Sequence, residues 1–315
     1  MIQVTNLTKR YGHVLAVDDI TFHVERGGVV GFLGPNGAGK TTTLRILTCY
    51  QPATQGSATI RGFDVFSQSM AVRRLVGYLP ESAPLYPDMR AREYLDFRGK
   101  LRGMSPSDRS TAIGRVTERC WLRDFIDRPI AHLSKGMKQR VGLADAIMHN
   151  PEVLILDEPT IGLDPTQIRE TRNLIKELGQ DHTVLLSSHI LPEVEQTCDR
   201  TIIIAGGRIV ASGSPQELRD QLSAKARVIA EVQGPIEEVR GAAQALEGVR
   251  KVEAASSDGW VRLAVEPESE RDVREALFRL TISKSWTLRE LRREGATLED
   301  FFVQVTAQQQ EARGR

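Results

Sequence analysis

The sequence predicts an α/β chain built on a mixed sheet with an antiparallel β edge, followed by a small α+β unit. Three observations carry that prediction. The apolar runs Val153-Leu154-Ile155-Leu156 and Thr183-Val184-Leu185-Leu186-Ser187 are bounded by turn residues, as parallel strands buried on both faces are. Between them, Thr166 to Leu178 reads as the crossover helix. Past about Ala224 the pattern restarts in the order β-α-β-β-α-β.

The elements follow in order. From Ile2 to Val24, Val4, Leu7, Val14, Val17, Ile20, Phe22 and Val24 alternate loosely with polar residues, broken by the Tyr11-Gly12 turn, so an antiparallel edge is expected there. Gly28 to Leu33 reads as a short buried strand and Thr42 to Thr48 as the first turns of a helix. Strand Ala58–Ile60 lies between Gly56 and Gly62, then a helix around Met70 to Leu75 and strand Val76–Leu79. Pro80, Pro84 and Pro87 keep the next stretch a loop.

From Ala91 to Arg128 apolar residues recur at three- and four-residue spacing, so this stretch is expected to be helical throughout. Ser105 as N-cap, Pro106 at the first helical position and Asp108 in the first turn start one of its helices. It reads as a helical subdomain, about 91–150, inserted between strands of the core. Thr201–Ile204 and Arg208–Val210 form a hairpin about Gly206-Gly207, and Ser214-Pro215-Gln216-Glu217 opens a helix. The expected division is 1–223 for the larger domain and 224–306 for a ferredoxin-like accessory domain, with a last helix starting at Thr297 and a disordered tail at 307–315.

The chemistry is concentrated in Gly34-Pro35-Asn36-Gly37-Ala38-Gly39-Lys40-Thr41, which fits G-x-x-x-x-G-K-[ST] at every fixed position. Strand before and helix behind give the motif its required context. The glycines let consecutive N–H groups converge on an anion, the helix N-terminus adds positive partial charge, and Lys40 supplies a point charge for the outer phosphates. Thr41 would put its hydroxyl on Mg²⁺. Strand Val153–Leu156 ends in Asp157-Glu158, and residues at the carboxyl end of such a strand face the ligand crevice. Asp157 is expected to hold Mg²⁺, and Glu158 to orient and deprotonate a water. Leu133-Ser134-Lys135-Gly136 gives a helix a Ser N-cap and a glycine for close approach, which read alone is either a second anion site or only a capped helix.

Composition bounds the rest. Forty-two basic residues against 41 acidic ones create no global field toward nucleic acid or anionic lipid. Cys49, Cys120 and Cys198 are widely spaced, so neither a disulfide framework nor a zinc site is indicated. The N-terminus carries no targeting pattern and no apolar run approaches a bilayer's thickness, so a soluble, cytoplasmic chain is expected.

Taken in sequence, the phosphate loop, the Leu133-Ser134-x-Gly136 signature, the Leu156-Asp157-Glu158 strand end, Gly162-Leu163-Asp164 and Ser188-His189 resemble the nucleotide-binding domains of ATP-binding cassette (ABC) transporters, over Met1 to about Gln221. The resemblance implies a P-loop NTPase of ABC-cassette fold with an inserted helical subdomain, and ATP with Mg²⁺ as ligands. It assigns Tyr11 to stacking on adenine, although such a ring also simply packs at strand ends. Pro35, Asn36, Gly37, Ala38 and Thr42 fall in the phosphate-binding stretch. Ser134 and Gly136 would touch the γ-phosphate of ATP held by a second copy, Asp164 would communicate across that dimer, and His189 would be the switch histidine. Glu81 stands where glutamine is usual and could ligate Mg²⁺; Met137 replaces glutamine at the fifth signature position. Both variations are similar to ABC-2 type exporters, including gliding-motility, sodium-extrusion and drug-resistance ATPases.

The implied partners are a separate integral-membrane permease, which would place the chain on the inner face of the cell membrane, and a second copy of the chain. No nucleic acid is expected. Leu85, Tyr86 and Met89 either meet a coupling helix of that permease or fill the subdomain's own core. Two other functions compete: a soluble cassette ATPase acting on nucleic acid or ribosomes, and a non-catalytic nucleotide sensor.

Overall fold

The computed structural model describes residues 1–218, 227–268 and 272–294. The helix expected from Thr297 and the 307–315 tail lie outside them. The chain divides into two compact units that change over at Pro215/Gln216, ahead of the break in pattern expected near Ala224.

In the larger unit, β3 (Val29–Leu33), β7 (Val153–Asp157) and β8 (Thr183–Ser188) are buried at every position, which is what runs without polar alternation require. They form the centre of a six-stranded sheet in the order β10-β9-β3-β8-β7-β6, with β6 at Val76–Leu79, β9 at Arg200–Ala205 and β10 at Arg208–Gly213. All neighbours pair in parallel except β10 on β9, which makes the sheet mixed. Helix α6, Pro165–Asp181, is the crossover from β7 to β8.

The N-terminal strands supply the expected antiparallel pairing, in a sheet of their own. β1 (Ile2–Tyr11) and β2 (Val14–Val24) are antiparallel but do not edge the central sheet. They join β4 (Gln55–Ile60) and β5 (Phe63–Asp64) in a separate sheet, β2-β1-β4-β5. The reason is burial on a shared face: Ile2, Val4, Leu7 and Phe22 of this sheet lie in one core cluster with Phe32, Ile155, Leu185 and Ile202 of the other. Helix α1, Lys40–Leu47, contributes Leu44, Ile46 and Leu47 to that core. A backbone bond from Asp18 N–H to Gly207 O ties β2 to the β9–β10 turn.

The inserted segment holds α3 (Ala91–Leu101), α4 (Pro106–Arg119) and α5 (Lys135–Ile147), with α2 at Ser69–Leu75 preceding it. Ser105 caps α4 as its sequence suggests, accepting from Asp108 N–H. Helix does not continue to Arg128. Trp121 adopts φ 50°, and the bonds Leu122 N–H to Thr117 O and Trp121 N–H to Glu118 O close the end of α4 as a Schellman motif. A glycine normally marks that stop, and tryptophan in its place hid it. Leu122, Phe125 and Ile126 then keep the turn buried until a 3₁₀ turn at Ile130–His132.

Polar side chains are also buried or half-buried in the insertion. Asp145 Oδ2 accepts from Arg98 Nε at 2.9 Å, and His149 Nε2 lies 3.0 Å from Arg102 and 3.2 Å from the Val76 carbonyl. Burial first, and the Arg102 guanidinium second, push the His149 pKa down from 6.5 to about 3.

The smaller unit contains β11 (Arg227–Gln233), α8 (Ile236–Gln244), β12 (Val249–Ser257), β13 (Trp260–Pro267), α9 (Arg274–Ser283) and β14 (Thr287–Glu294). Its all-antiparallel sheet runs β12-β13-β11-β14, the ferredoxin-like order. Val228, Val232, Val261, Leu263 and Val265 meet Val239 and Leu277 of the helices in a core of its own.

A neutral buried histidine favours folding only where the unfolded chain's histidine is also neutral. As pH falls below 6.5 the unfolded state takes up a proton that folded His149 refuses until about pH 3, so stability declines across that window. His149→Gln should therefore flatten the decline of the urea midpoint between pH 6.5 and 4. Parallel wild-type and mutant curves would contradict the assignment.

Candidate functional site

Parallel pairing brings the chemistry together. Register pairs Leu33 of β3 with Ser188 of β8, and Ser187 of β8 with Asp157 of β7, so three strands end side by side. The carboxyl ends of such strands are where α/β sheets generally bind ligands. β3 feeds the phosphate loop, β7 delivers Asp157 and Glu158, and β8 delivers Ser187 to His189.

The loop is shaped by close backbone contacts. Gly34 is buried, and a Cβ there would meet the Ile204 carbonyl at 2.3 Å. Gly39 is the N-cap of α1 at φ 108°, a conformation costly for any residue with a Cβ. Ala38 N–H bonds the Pro35 carbonyl at 3.1 Å and Gly207 N–H bonds the Ala38 carbonyl at 3.0 Å. Pro35 is half-buried, Asn36 and Gly37 are exposed, and Thr41 and Thr42 begin the helix half-buried. The first N–H groups of a helix lack intrahelical acceptors and point outward as anion donors.

Lys40, 5% exposed, lies under this loop. Its Nζ donates to the Gly34 carbonyl at 2.7 Å and the Pro35 carbonyl at 3.3 Å, and sits 3.4 Å from Glu158 Oε1. Burial lowers its pKa, while the charges of Glu158, Asp157 and Glu81 oppose that fall. Glu158 is also buried and takes φ 50°. Its Oε2 is 2.9 Å from His189 Nδ1, and its N–H donates to Ser187 Oγ at 3.0 Å. Ser187 Oγ in turn donates to Asp157 Oδ1 at 2.6 Å, and Thr41 Oγ1 donates to the same oxygen at 3.3 Å.

Asp157 is fully buried, and its Oδ2 has no hydrogen-bond partner. A bare buried carboxylate oxygen beside a threonine hydroxyl fits a hard cation that takes oxygen ligands. Among the described residues no cluster of three or more His, Cys, Asp or Glu could hold a metal unaided. Mg²⁺ is usually bound by one or two carboxylates together with substrate phosphates.

The remaining sequence-selected residues lie outside this knot. Tyr11 is 44% exposed, and its hydroxyl donates to Gln51 Oε1 at 2.6 Å while Gln51 Nε2 reaches the Thr42 carbonyl at 3.3 Å. Lys9 Nζ lies over the ring, 5.2 Å from its centroid, and the hydroxyl links the ring through Gln51 to the phosphate-loop helix. Ser134 caps α5, accepting from Met137 N–H, and Asp164 caps α6, accepting from Gln167 N–H at 2.9 Å. Gly136 is buried against Gln167 and Leu163. These anchors belong to their own helices and not to the phosphate loop. Glu81 is exposed and acts on Lys40 only through its charge.

The family profile described as ABC transporter matches residues 17–161. The bacitracin transport ATP-binding protein BcrA of Bacillus licheniformis is 41% identical over 212 residues, 67% of this chain and 68% of that protein. The chain belongs to the ABC transporter family. The ABC transporter ATP-binding protein YdbJ of Bacillus subtilis (strain 168) is 35% identical over 313 residues, covering 99% of this chain and 97% of its own, so that similarity runs through the smaller unit as well. Among solved structures, the dimeric bacterial cassette MJ0796 superposes with a TM-score of 0.64 at 25% identity, over 68% of this chain and 98% of that one. The cassette is an ATP-binding ATPase domain of this family. Among its described residues no helix is long and apolar enough to cross a membrane.

Ser187 escaped the sequence reading, since nothing marks one serine in an apolar strand until the register sets it against Asp157. Gln51 escaped for the same reason, forty positions from Tyr11. Ser187→Ala should lower ATP turnover about 10–100-fold, the usual cost of losing a partner that orients a ligating carboxylate. Turnover measured against Mg²⁺ concentration should also reach its half-maximum at a higher Mg²⁺ concentration, and unchanged kinetics would remove Ser187 from the site.

Proposed function

We propose that the chain is the energy-supplying subunit of a transporter and works as a head-to-tail dimer closing over two Mg-ATP molecules. The observation that carries this is the split of the site. Lys40, Thr41, Asp157, Glu158 and His189 converge within one copy, whereas Ser134 and Gly136 are anchored away from them on α5. A second copy would bring its signature to the open side of the phosphates. MJ0796, a similar cassette described as dimeric, supports that arrangement.

Within each half the residues have separable tasks. The phosphate loop and α1 N-terminus bind the phosphate chain, and Tyr11 offers its exposed ring to the base. Lys40 leaves the loop carbonyls for the outer phosphates. That frees Glu158 Oε1, so the carboxylate can take a proton from an attacking water while His189 fixes its other oxygen. Thr41 and Asp157 would hold Mg²⁺, which when bound neutralises developing phosphate charge. Exclusion of water by the partner copy would strengthen each of these interactions. Contacts to the γ-phosphate are lost on hydrolysis, so the nucleotide favours the closed state only before the reaction, which a ligand-driven switch requires.

The outlet for the motion is a cavity of about 1140 Å³ in the larger unit, lined by Arg45, Tyr50, Met70, Arg98 and Leu101 and by Pro80 to Pro84, Glu81 excepted. Tyr50, Met70 and Leu101 are each more than half exposed there, consistent with a surface that a permease covers. Of the two roles open to Tyr86, the packing one is supported by edge contacts to Tyr94 and Phe97 at 5.9 and 5.7 Å. Export is favoured by the Glu81 and Met137 variations, and bacitracin transport in the name of BcrA fits it.

Glu158→Gln should bind ATP and hydrolyse it slowly, so that ATP moves the mutant to the dimer position in gel filtration. Lys40→Ala should lose both hydrolysis and that shift. Wild-type turnover in Glu158→Gln would overturn the assignment of the base.

A further inference from the structure

One buried carboxylate lies outside these tasks and touches both loops that carry the catalytic pair. Glu193, in the first turn of α7 (Leu191–Thr197), is 8% exposed. Its Oε2 accepts from Thr160 Oγ1 at 2.7 Å and lies 3.5 Å from Ser188 Oγ. Thr160 stands two residues after Glu158, and Ser188 immediately before His189. A single oxygen therefore bridges the chain leaving β7 and the chain leaving β8.

The geometry points to Glu193 as a positioning residue for hydrolysis, a clamp that holds Glu158 and His189 in register with each other. Glu158 needs such support. Its φ of 50° is sparsely populated for a residue with a side chain and persists only where surroundings over-determine it. On the near side Ser187 Oγ accepts its N–H. Beyond it, Gln139 Nε2 of α5 donates to the Pro159 carbonyl at 3.3 Å, and Thr160 is pinned by Glu193. The β8 loop is held by the same carboxylate, because Ser188 Oγ accepts from Ile190 N–H while facing Glu193.

A buried acid must have partners in any fold, and the first turn of a helix suits a negative charge. Those needs do not require the partners to flank both members of the Glu158–His189 pair. Loosening the clamp should leave the phosphate loop and its affinity intact and misplace the base.

The inference rests on Glu158 being the general base, and it is tested by steady-state ATPase kinetics with ATP binding measured alongside. Thr160→Val, which keeps the shape and removes the donor, should lower kcat about 10-fold or more, as loss of an orienting partner does, with ATP affinity within about 2-fold of wild type. Glu193→Gln should restore most of the turnover lost in Glu193→Ala, because the amide oxygen still accepts from Thr160. Thr160→Val combined with Glu193→Ala should be no slower than the slower single mutant, the signature of one shared interaction. Wild-type kcat in Thr160→Val, or additive losses in the double mutant, overturns the clamp while Glu158→Gln remains inactive. Full activity in Glu158→Gln overturns the base assignment instead.

Discussion

The ion pair between Lys40 and Glu158 joins two side chains that water barely reaches, at 3.4 Å, with fully buried Asp157 adjacent. Removing such charges from water is expensive unless they are paired and hydrogen-bonded. The fold meets that demand with backbone carbonyls for Lys40, with Ser187 shared between Asp157 and the Glu158 N–H, and with His189 for Glu158. One acceptor, Asp157 Oδ2, is left over. That acceptor is the one polar atom of the Lys40–Asp157–Glu158 group without a partner among the described residues, and a cation carried by a phosphate ligand would complete it.

The register of three parallel strands makes that arrangement possible. A slip of one residue between β7 and β8 would turn Ser187 away from Asp157 and reverse the side-chain faces along the strand. Both strands are buried at every position, so the core on each side resists the slip. The shared core of the two sheets therefore holds the geometry of the candidate site as well as the stability of the larger unit.

The helical insertion obeys a different constraint. Arg98, Arg102, Asp145 and His149 line the 1140 Å³ cavity, where desolvation keeps His149 neutral across ordinary pH. Its polar groups fix α3 against α5, and α5 also carries Ser134, Gly136 and Gln139. From the same helix Gln139 Nε2 donates to the Pro159 carbonyl in the loop after Glu158.

Local chemistry made much of this readable from the chain alone. The phosphate loop, the Asp157-Glu158 strand end, the caps at Ser105 and the β-α-β-β-α-β order of the smaller unit depend on neighbours within a few residues, where spacing and composition speak directly. Other features depend on residues distant in sequence. The separate sheet of β1, β2, β4 and β5 is decided by a core shared with the central sheet, and the end of α4 by a Schellman turn that Trp121 fills in place of glycine. Ser187 and Glu193 acquire their positions only when β7 and β8 lie side by side, thirty residues apart along the chain. Sequence determined which groups could do phosphate chemistry; tertiary structure decided which of them meet, because hydrogen-bond partners across parallel strands are set by register and burial and leave no local pattern.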